Sequence, residues 1–142
     1  MDVRKVTEKF AVSPQIAPQD FDALKDQGFR YVINNRPDGE DASQMSSAEA
    51  ESAARKAGLT YIYAPFQGAP TPEAVREVEA ALSQSPGPVL AYCRSGTRSI
   101  TAWAIMTAKT RQEPPEKVIE IAAEAGYDLR ALKDLLRNLA SG

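Results

Sequence analysis

The chain has 142 residues, 43% of them hydrophobic and 25% charged, with 17 basic against 19 acidic side chains and a formal net charge of −2. That describes one domain able to bury its own core, with no electrostatic bias toward nucleic acid or an anionic membrane. There is no histidine and a single cysteine, Cys93, which removes histidine triads, histidine general bases, disulfides and Cys- or His-built metal sites. No apolar run approaches bilayer length, and no apolar segment follows the charged start Met1-Asp2-Val3-Arg4-Lys5. The expectation is a cytoplasmic protein with residues 1–142 as one domain.

In chain order, Phe10-Ala11-Val12 reads as a short strand. Pro18 opens a helix carrying Phe21, Leu24 and Lys25, and Gly28 ends it. Phe29 to Asn34 is rich in strand formers, and Asn35 to Met45 is a loop containing Pro37-Asp38-Gly39. Ser46 with Glu49 forms a capping box for an Ala-rich helix ending at Gly58. Leu59 to Ala64 is the next strand, and Pro65 to Pro70 the loop after it. Thr71-Pro72-Glu73 then opens a helix with Val75, Val78 and Leu82 on one face. Pro88 to Tyr92 reads as a central strand, and Ser99 to Thr110 as a buried helix with Ile100, Trp103, Ile105 and Met106. Two helices follow, around Glu116–Glu124 and Leu129–Leu139, with Gly126 ending the first and Asp128 capping the second. Alternation of strand and helix calls for an α/β fold: a central, mainly parallel sheet of four or five strands flanked by helices in three layers. Open sheets of this kind bind ligands beyond the carboxyl ends of their strands.

The segment Cys93-Arg94-Ser95-Gly96-Thr97-Arg98-Ser99 falls at such an end, between a strand and a helix. A loop there curls its backbone N–H groups inward as an anion nest, with Gly96 supplying a backbone conformation other residues avoid. The helix dipole points at the same spot, and the Arg98 guanidinium adds a forked cation. A cysteine at the base of that cradle is expected to react as its thiolate. The catalytic candidates are therefore Cys93, Arg98 and Ser99, with Arg94, Ser95, Gly96 and Thr97 as the anion-binding loop. A buried structural cysteine is the competing reading, and the strand–loop–helix context argues against it.

Tyr92 to Ser99 resembles the active-site loop of single-domain rhodaneses, in which four residues separate Cys from the closing Arg. The order of elements, with Val32-Ile33-Asn34-Asn35-Arg36-Pro37 and Tyr61-Ile62-Tyr63-Ala64-Pro65, resembles dual-specificity protein phosphatases. More broadly, Phe10 to Leu139 is similar to the bacterial phosphatase-like domain of beta-lactamase-hydrolase-like proteins, a family sometimes fused to a persulfide dioxygenase. The resemblance implies the protein tyrosine phosphatase fold. Phosphatases of that class carry His before the Cys and five residues between Cys and Arg. Here Tyr92 precedes the Cys and four residues intervene. A shorter nest cradles three phosphate oxygens less well than one persulfide sulfur. No Asp lies between Tyr61 and Tyr92 to protonate a leaving oxygen.

Two reactions remain open. In sulfur transfer, which these departures favour, Cys93 takes a sulfane sulfur from a small anionic donor (thiosulfate or a persulfide) and passes it to a thiol acceptor or cyanide. Arg98 and Arg94 would hold the donor, and Ser99 would donate to the sulfur. The alternative is a phosphatase acting on a phosphorylated substrate through a phosphocysteine, with Asp38 or Asp41 as substitute acid. A non-catalytic anion- or partner-binding module is a third class. Asn35, Arg36, Asp38 and Phe66 are candidates for the pocket rim; Asp38 also suits an ordinary turn, Arg36 an ion pair with Glu40 or Asp41, and Phe66 the core. Trp103 and Met106 read as core. The stripe Leu129, Leu132, Leu136, Leu139 closes the core, with a dimer seam as its other use. No cofactor or metal is called for, and a monomer or weak homodimer is expected.

Overall fold

Short runs of strand formers alternate with capped, amphipathic helices, and the computed structural model, which describes residues 1–142, turns that alternation into a sheet between two helical layers. The elements are β1 (Arg4–Thr7), β2 (Phe10–Ser13), α1 (Asp20–Asp26), β3 (Tyr31–Asn34), α2 (Ser47–Lys56), β4 (Thr60–Tyr63), α3 (Pro72–Gln84), β5 (Val89–Tyr92), α4 (Thr97–Lys109), α5 (Pro115–Glu124) and α6 (Lys133–Ser141). The sheet order is β1-β2-β5-β3-β4. β2, β5, β3 and β4 run parallel, and β1 closes one edge antiparallel to β2.

The register decides where chemistry can occur. Ser13 and Asn34 both lie opposite Tyr92, and Asn34 lies opposite Tyr63. Four parallel strands therefore end at one level, and the loops after them open on one rim. β5 is central, and all four of its residues are buried. Its side chains alternate between faces, as the strand period requires. Val89 and Ala91 join the core under α3, α4, α5 and α6, while Leu90 and Tyr92 join the one under α1 and α2. On the first face the Phe10 and Trp103 rings stack with centroids 6.2 Å apart. Trp103 and Met106 are core residues, as the sequence implies.

Local signals hold at most ends. Ser46 and Glu49 form the capping box of α2, and the Thr71 hydroxyl caps α3 with Pro72 in its first turn. Three readings differ. Strand β1 is half-exposed and polar (Arg4-Lys5-Val6-Thr7), so it carries no alternation to detect; it is held by pairing with β2. Helix α4 starts at Thr97 rather than Ser99, because Gly96 takes φ +94 and serves as its N-cap. The single helix expected over Leu129–Leu139 is a 3-10 turn at Arg130–Leu132 followed by α6. There the Asp128 carboxylate accepts the Arg130 N–H at 3.1 Å and tightens the start of the turn. Leu129 and Leu136 are buried in the core, whereas Leu135 is 43% exposed.

Replacing Leu90 by Ala, on the central strand and wholly buried, is expected to cost about 2–5 kcal/mol. The exposed Leu135→Ala should stay within about 0.5 kcal/mol of wild type. Urea unfolding of the two variants beside wild type measures both.

Candidate active site

Three of the four aligned strand ends send residues to a single carboxylate. From the loop after β3, Glu40 receives Arg98 as a two-bond fork, Nη1 at 2.9 Å and Nη2 at 2.8 Å. It also receives Arg36 Nε at 3.1 Å and, from the loop after β4, Gln67 Nε2 at 3.1 Å. The loop after β2 adds Gln15, whose Oε1 accepts from Arg36 at 3.0 Å. Side-chain exposure is 5% for Arg36, 16% for Glu40 and 19% for Arg98, so the pairs are sheltered from solvent screening. These hydrogen bonds, Arg98's first, hold the Glu40 carboxyl far below its usual range, down to about 2. Arg98 is held above its ordinary value, chiefly by Glu40 and further by the neighbouring Cys93.

Cys93 follows the last residue of β5 and is wholly buried. Its Sγ accepts the Gly96 N–H at 3.1 Å. The Thr97 N–H is taken by the Ser95 hydroxyl at 3.3 Å, and that hydroxyl donates to Thr97 Oγ1 at 3.0 Å. The Arg98 and Ser99 N–H groups lie in the first turn of α4, where no carbonyl of the helix can reach them. Arg98 also donates to the Phe66 carbonyl at 3.2 Å. The result is a sulfur under a helix N-terminus with one N–H already on it and a guanidinium locked beside it. Such a place receives an oxyanion or an anionic sulfur.

Not every candidate keeps the role its position implies. Asn35 is buried and acts as a brace: its backbone N–H donates to Tyr92 O at 2.8 Å and its Nδ2 to Ala64 O at 2.9 Å. Its Oδ1 then accepts the Ser99 hydroxyl at 2.8 Å. A hydroxyl has one proton to give, so Ser99 serves Asn35 here rather than the sulfur. Arg36 is spent on Glu40 and Gln15, the ion-pair reading rather than a free rim cation. The Phe66 ring packs in the core, and only its carbonyl reaches the site. Arg94 is exposed.

The substitute acids are also occupied. Asp38 Oδ1 accepts the Ser47 N–H at 2.7 Å at the start of α2. Asp41 is exposed, and hydrogen bonds from Ser43 hold its carboxyl below the usual range. Tyr92 points into the core away from the sulfur, where burial pushes its phenol up and keeps it neutral. The sequence reading missed the central role of Glu40, treating it only as a partner for Arg36. It also missed Tyr127, whose hydroxyl donates to Ser95 O at 3.0 Å.

Residues 2–110 match the family described as beta-lactamase hydrolase-like protein, phosphatase-like domain. The chain belongs to that family. Beta-lactamase hydrolase-like proteins of Agrobacterium fabrum and of Xylella fastidiosa are each 32% identical to it, over 92% and 91% of its length. The chain spans about a third of those relatives, 31% and 30%. Among solved structures, a candidate phosphatase from Neisseria meningitidis superposes with TM-score 0.85 at 30% identity, covering 98% of this chain and 99% of that one. PTPMT1 in complex with PI(5)P superposes with TM-score 0.74 at 19% identity, over 99% of this chain and 96% of that one, a likeness of fold. The fold is thus protein tyrosine phosphatase-like, a mainly parallel five-stranded sheet flanked by helices. No helix is long and apolar enough to cross a membrane.

Glu40→Gln is expected to cost about 1–3 kcal/mol at neutral pH, because Arg98 and Arg36 lose a charged partner. The pH dependence carries a definite sign. A carboxyl lowered in the folded state stabilises fully above its ordinary value of 4.5, and that stabilisation fades as pH falls toward about 2. Urea unfolding across that window should show wild type losing its advantage over Glu40→Gln as the medium acidifies.

Proposed function

We propose that the chain is a cysteine-dependent hydrolase of the phosphatase type, with Cys93 carrying the transferred group as a phosphocysteine. The observation that supports it is the Arg98 guanidinium, fixed by Glu40 beside a buried sulfur at the start of α4. In this reading the Cys93 thiolate attacks phosphorus, the bond from phosphorus to the ester oxygen breaks, and that oxygen leaves with the electron pair. Arg98 and the first-turn N–H groups of α4 hold the phosphoryl oxygens. Water then attacks the phosphocysteine, freeing inorganic phosphate and the thiolate. The sequence ranks sulfur transfer first; family membership and the phosphatase-like relatives move the hydrolase ahead of it.

The acid step narrows the substrate class. Glu40 is held ionised, Asp38 is bound to the start of α2, and Asp41 is ionised at the surface. Each is already engaged, Glu40 by Arg98, Asp38 by Ser47 and Asp41 by Ser43, so none is poised beside a leaving alkoxide. The substrates that fit are phosphate esters whose oxygen leaves as a stable anion, aryl phosphates above all.

The same observation favours a second reading, sulfane sulfur transfer. There the thiolate attacks the outer sulfur of thiosulfate, the S–S bond breaks, and sulfite leaves with the electron pair and needs no proton. Cyanide or a thiolate then takes the sulfur from the Cys93 persulfide and restores the thiolate.

Intact-mass measurement after incubation with an aryl phosphate or with thiosulfate separates the two. A phosphoryl adduct and released phosphate, both lost in Cys93→Ser, support the hydrolase; a gain of one sulfur that cyanide removes supports the transferase. Within the hydrolase, turnover should fall steeply as the leaving phenol becomes more basic, by about 10²–10⁴-fold where a general acid would have compensated. Arg98→Ala should lower kcat about 10²-fold or more. A rate indifferent to the leaving group would mean that an acid is present after all.

A further inference from the structure

The peptide unit joining Ser95 to Gly96 is held at both ends. Its N–H donates to Cys93 Sγ at 3.1 Å, and its carbonyl accepts from the Tyr127 hydroxyl at 3.0 Å. In a planar trans peptide the carbonyl and N–H point in opposite directions. Fixing the carbonyl outward therefore aims the N–H at the sulfur. We propose that Tyr127 is a positioning residue that holds the Gly96 N–H on Cys93 and so tunes the reactivity of that sulfur.

The surroundings are built for this contact. The place where a side chain at residue 96 would begin is filled by the Tyr127 hydroxyl, and Gly96 takes φ +94. Only a residue without Cβ accepts both conditions. The Tyr127 N–H is anchored on Ala122 O at 2.9 Å, at the end of α5. Arg4 from β1 lies over its ring, 5.5 Å from the centroid, and donates to Ala125 O at 3.3 Å. Burial pushes the Tyr127 phenol up, so its hydroxyl remains a donor at neutral pH. A hydrogen bond accepted by the carbonyl polarises the peptide and strengthens what its N–H donates. The other charged groups are Arg98 beside the sulfur, Glu40 and Arg36 bonded behind Arg98, Asp41 and Arg94 toward the exposed rim, and Arg4 with Asp2 behind Tyr127. Tyr127 lies beyond residues 2–110, the stretch matched to the family.

This inference rests on Cys93 as the reacting atom and stands whichever group it transfers. The test therefore reads the sulfur directly. Tyr127→Phe keeps the ring beneath Arg4 and removes one hydroxyl. Alkylation of Cys93 by iodoacetamide should shift its pH–rate profile to higher pH in the variant, with a rate below neutrality about 3- to 10-fold slower than wild type. A structural role alone would lower the melting temperature and leave the profile in place, which would overturn the proposal. So would superimposable profiles with slower turnover. In wild type, Gly96 should show a slowly exchanging amide whose chemical shift follows ionisation of Cys93; exchange at the rate of an open loop would overturn the proposal without reference to any variant. Failure to hydrolyse aryl phosphates leaves all of these readouts intact and counts only against the hydrolase.

Discussion

The site depends on one carboxylate. Glu40 gathers Arg98 from the start of α4, Arg36 from its own loop and Gln67 from the loop after β4. Without it, the Arg98 and Arg36 guanidiniums would lose the carboxylate they share, and like charges in a sheltered place repel strongly. With it, Arg98 is held by both arms of its fork and cannot swing into solvent. Asn35 does the same for the uncharged side of the rim, joining Tyr92, Ala64 and Ser99 through its backbone and its amide. The two neighbouring residues of the β3 loop thus divide the work: Asn35 ties strand ends together and Arg36 helps to orient the acid that orients Arg98.

Much of the fold was legible in the sequence because its signals are local. Ser46 with Glu49 and Thr71 with Pro72 announce helices whatever surrounds them, and both do cap their helices. The apolar run Val89 to Tyr92, short and set off by Pro86-Gly87, reads as a strand covered on both faces, and it is one. β1 escaped because its four residues, mostly polar and half-buried, carry no alternation of apolar and polar side chains. The last helix escaped for a different reason. A periodic leucine stripe does not reveal whether the first turn winds as a 3-10 turn, and the Asp128 to Arg130 contact at that point tightens it.

The site was legible where chemistry and chain order coincide, in Cys93 through Arg98. It was not legible where contacts cross long separations. Glu40 meets Arg98 across 58 residues, Asn35 meets Ser99 across 64, and Tyr127 reaches Ser95 across 32. An acidic residue in a Gly- and Asp-containing loop carries no mark of its distant partner. Ser99 shows the reverse error: a hydroxyl next to Arg98 reads as a donor to sulfur until the fixed amide of Asn35 claims its proton. Nor could chain order tell which N–H of the expected anion nest meets the sulfur. The one N–H on Sγ comes from Gly96, and its neighbour at Thr97 turns to the Ser95 hydroxyl.

The family match ends at residue 110, soon after α4, but the molecule does not come apart there. Val118 and Ala122 of α5, Leu129 and Leu136 all sit in the same core as Ile100, Trp103 and Met106 of α4. α5 also lies against β1, and Arg4 of that strand bonds to Ala125. The stretch matched to the family model is therefore shorter than the set of elements that share this core. A fragment stopping at the limit of that pattern would keep Cys93, Arg98 and Glu40 while uncovering the apolar flank of α4, a surface suited to aggregation rather than catalysis.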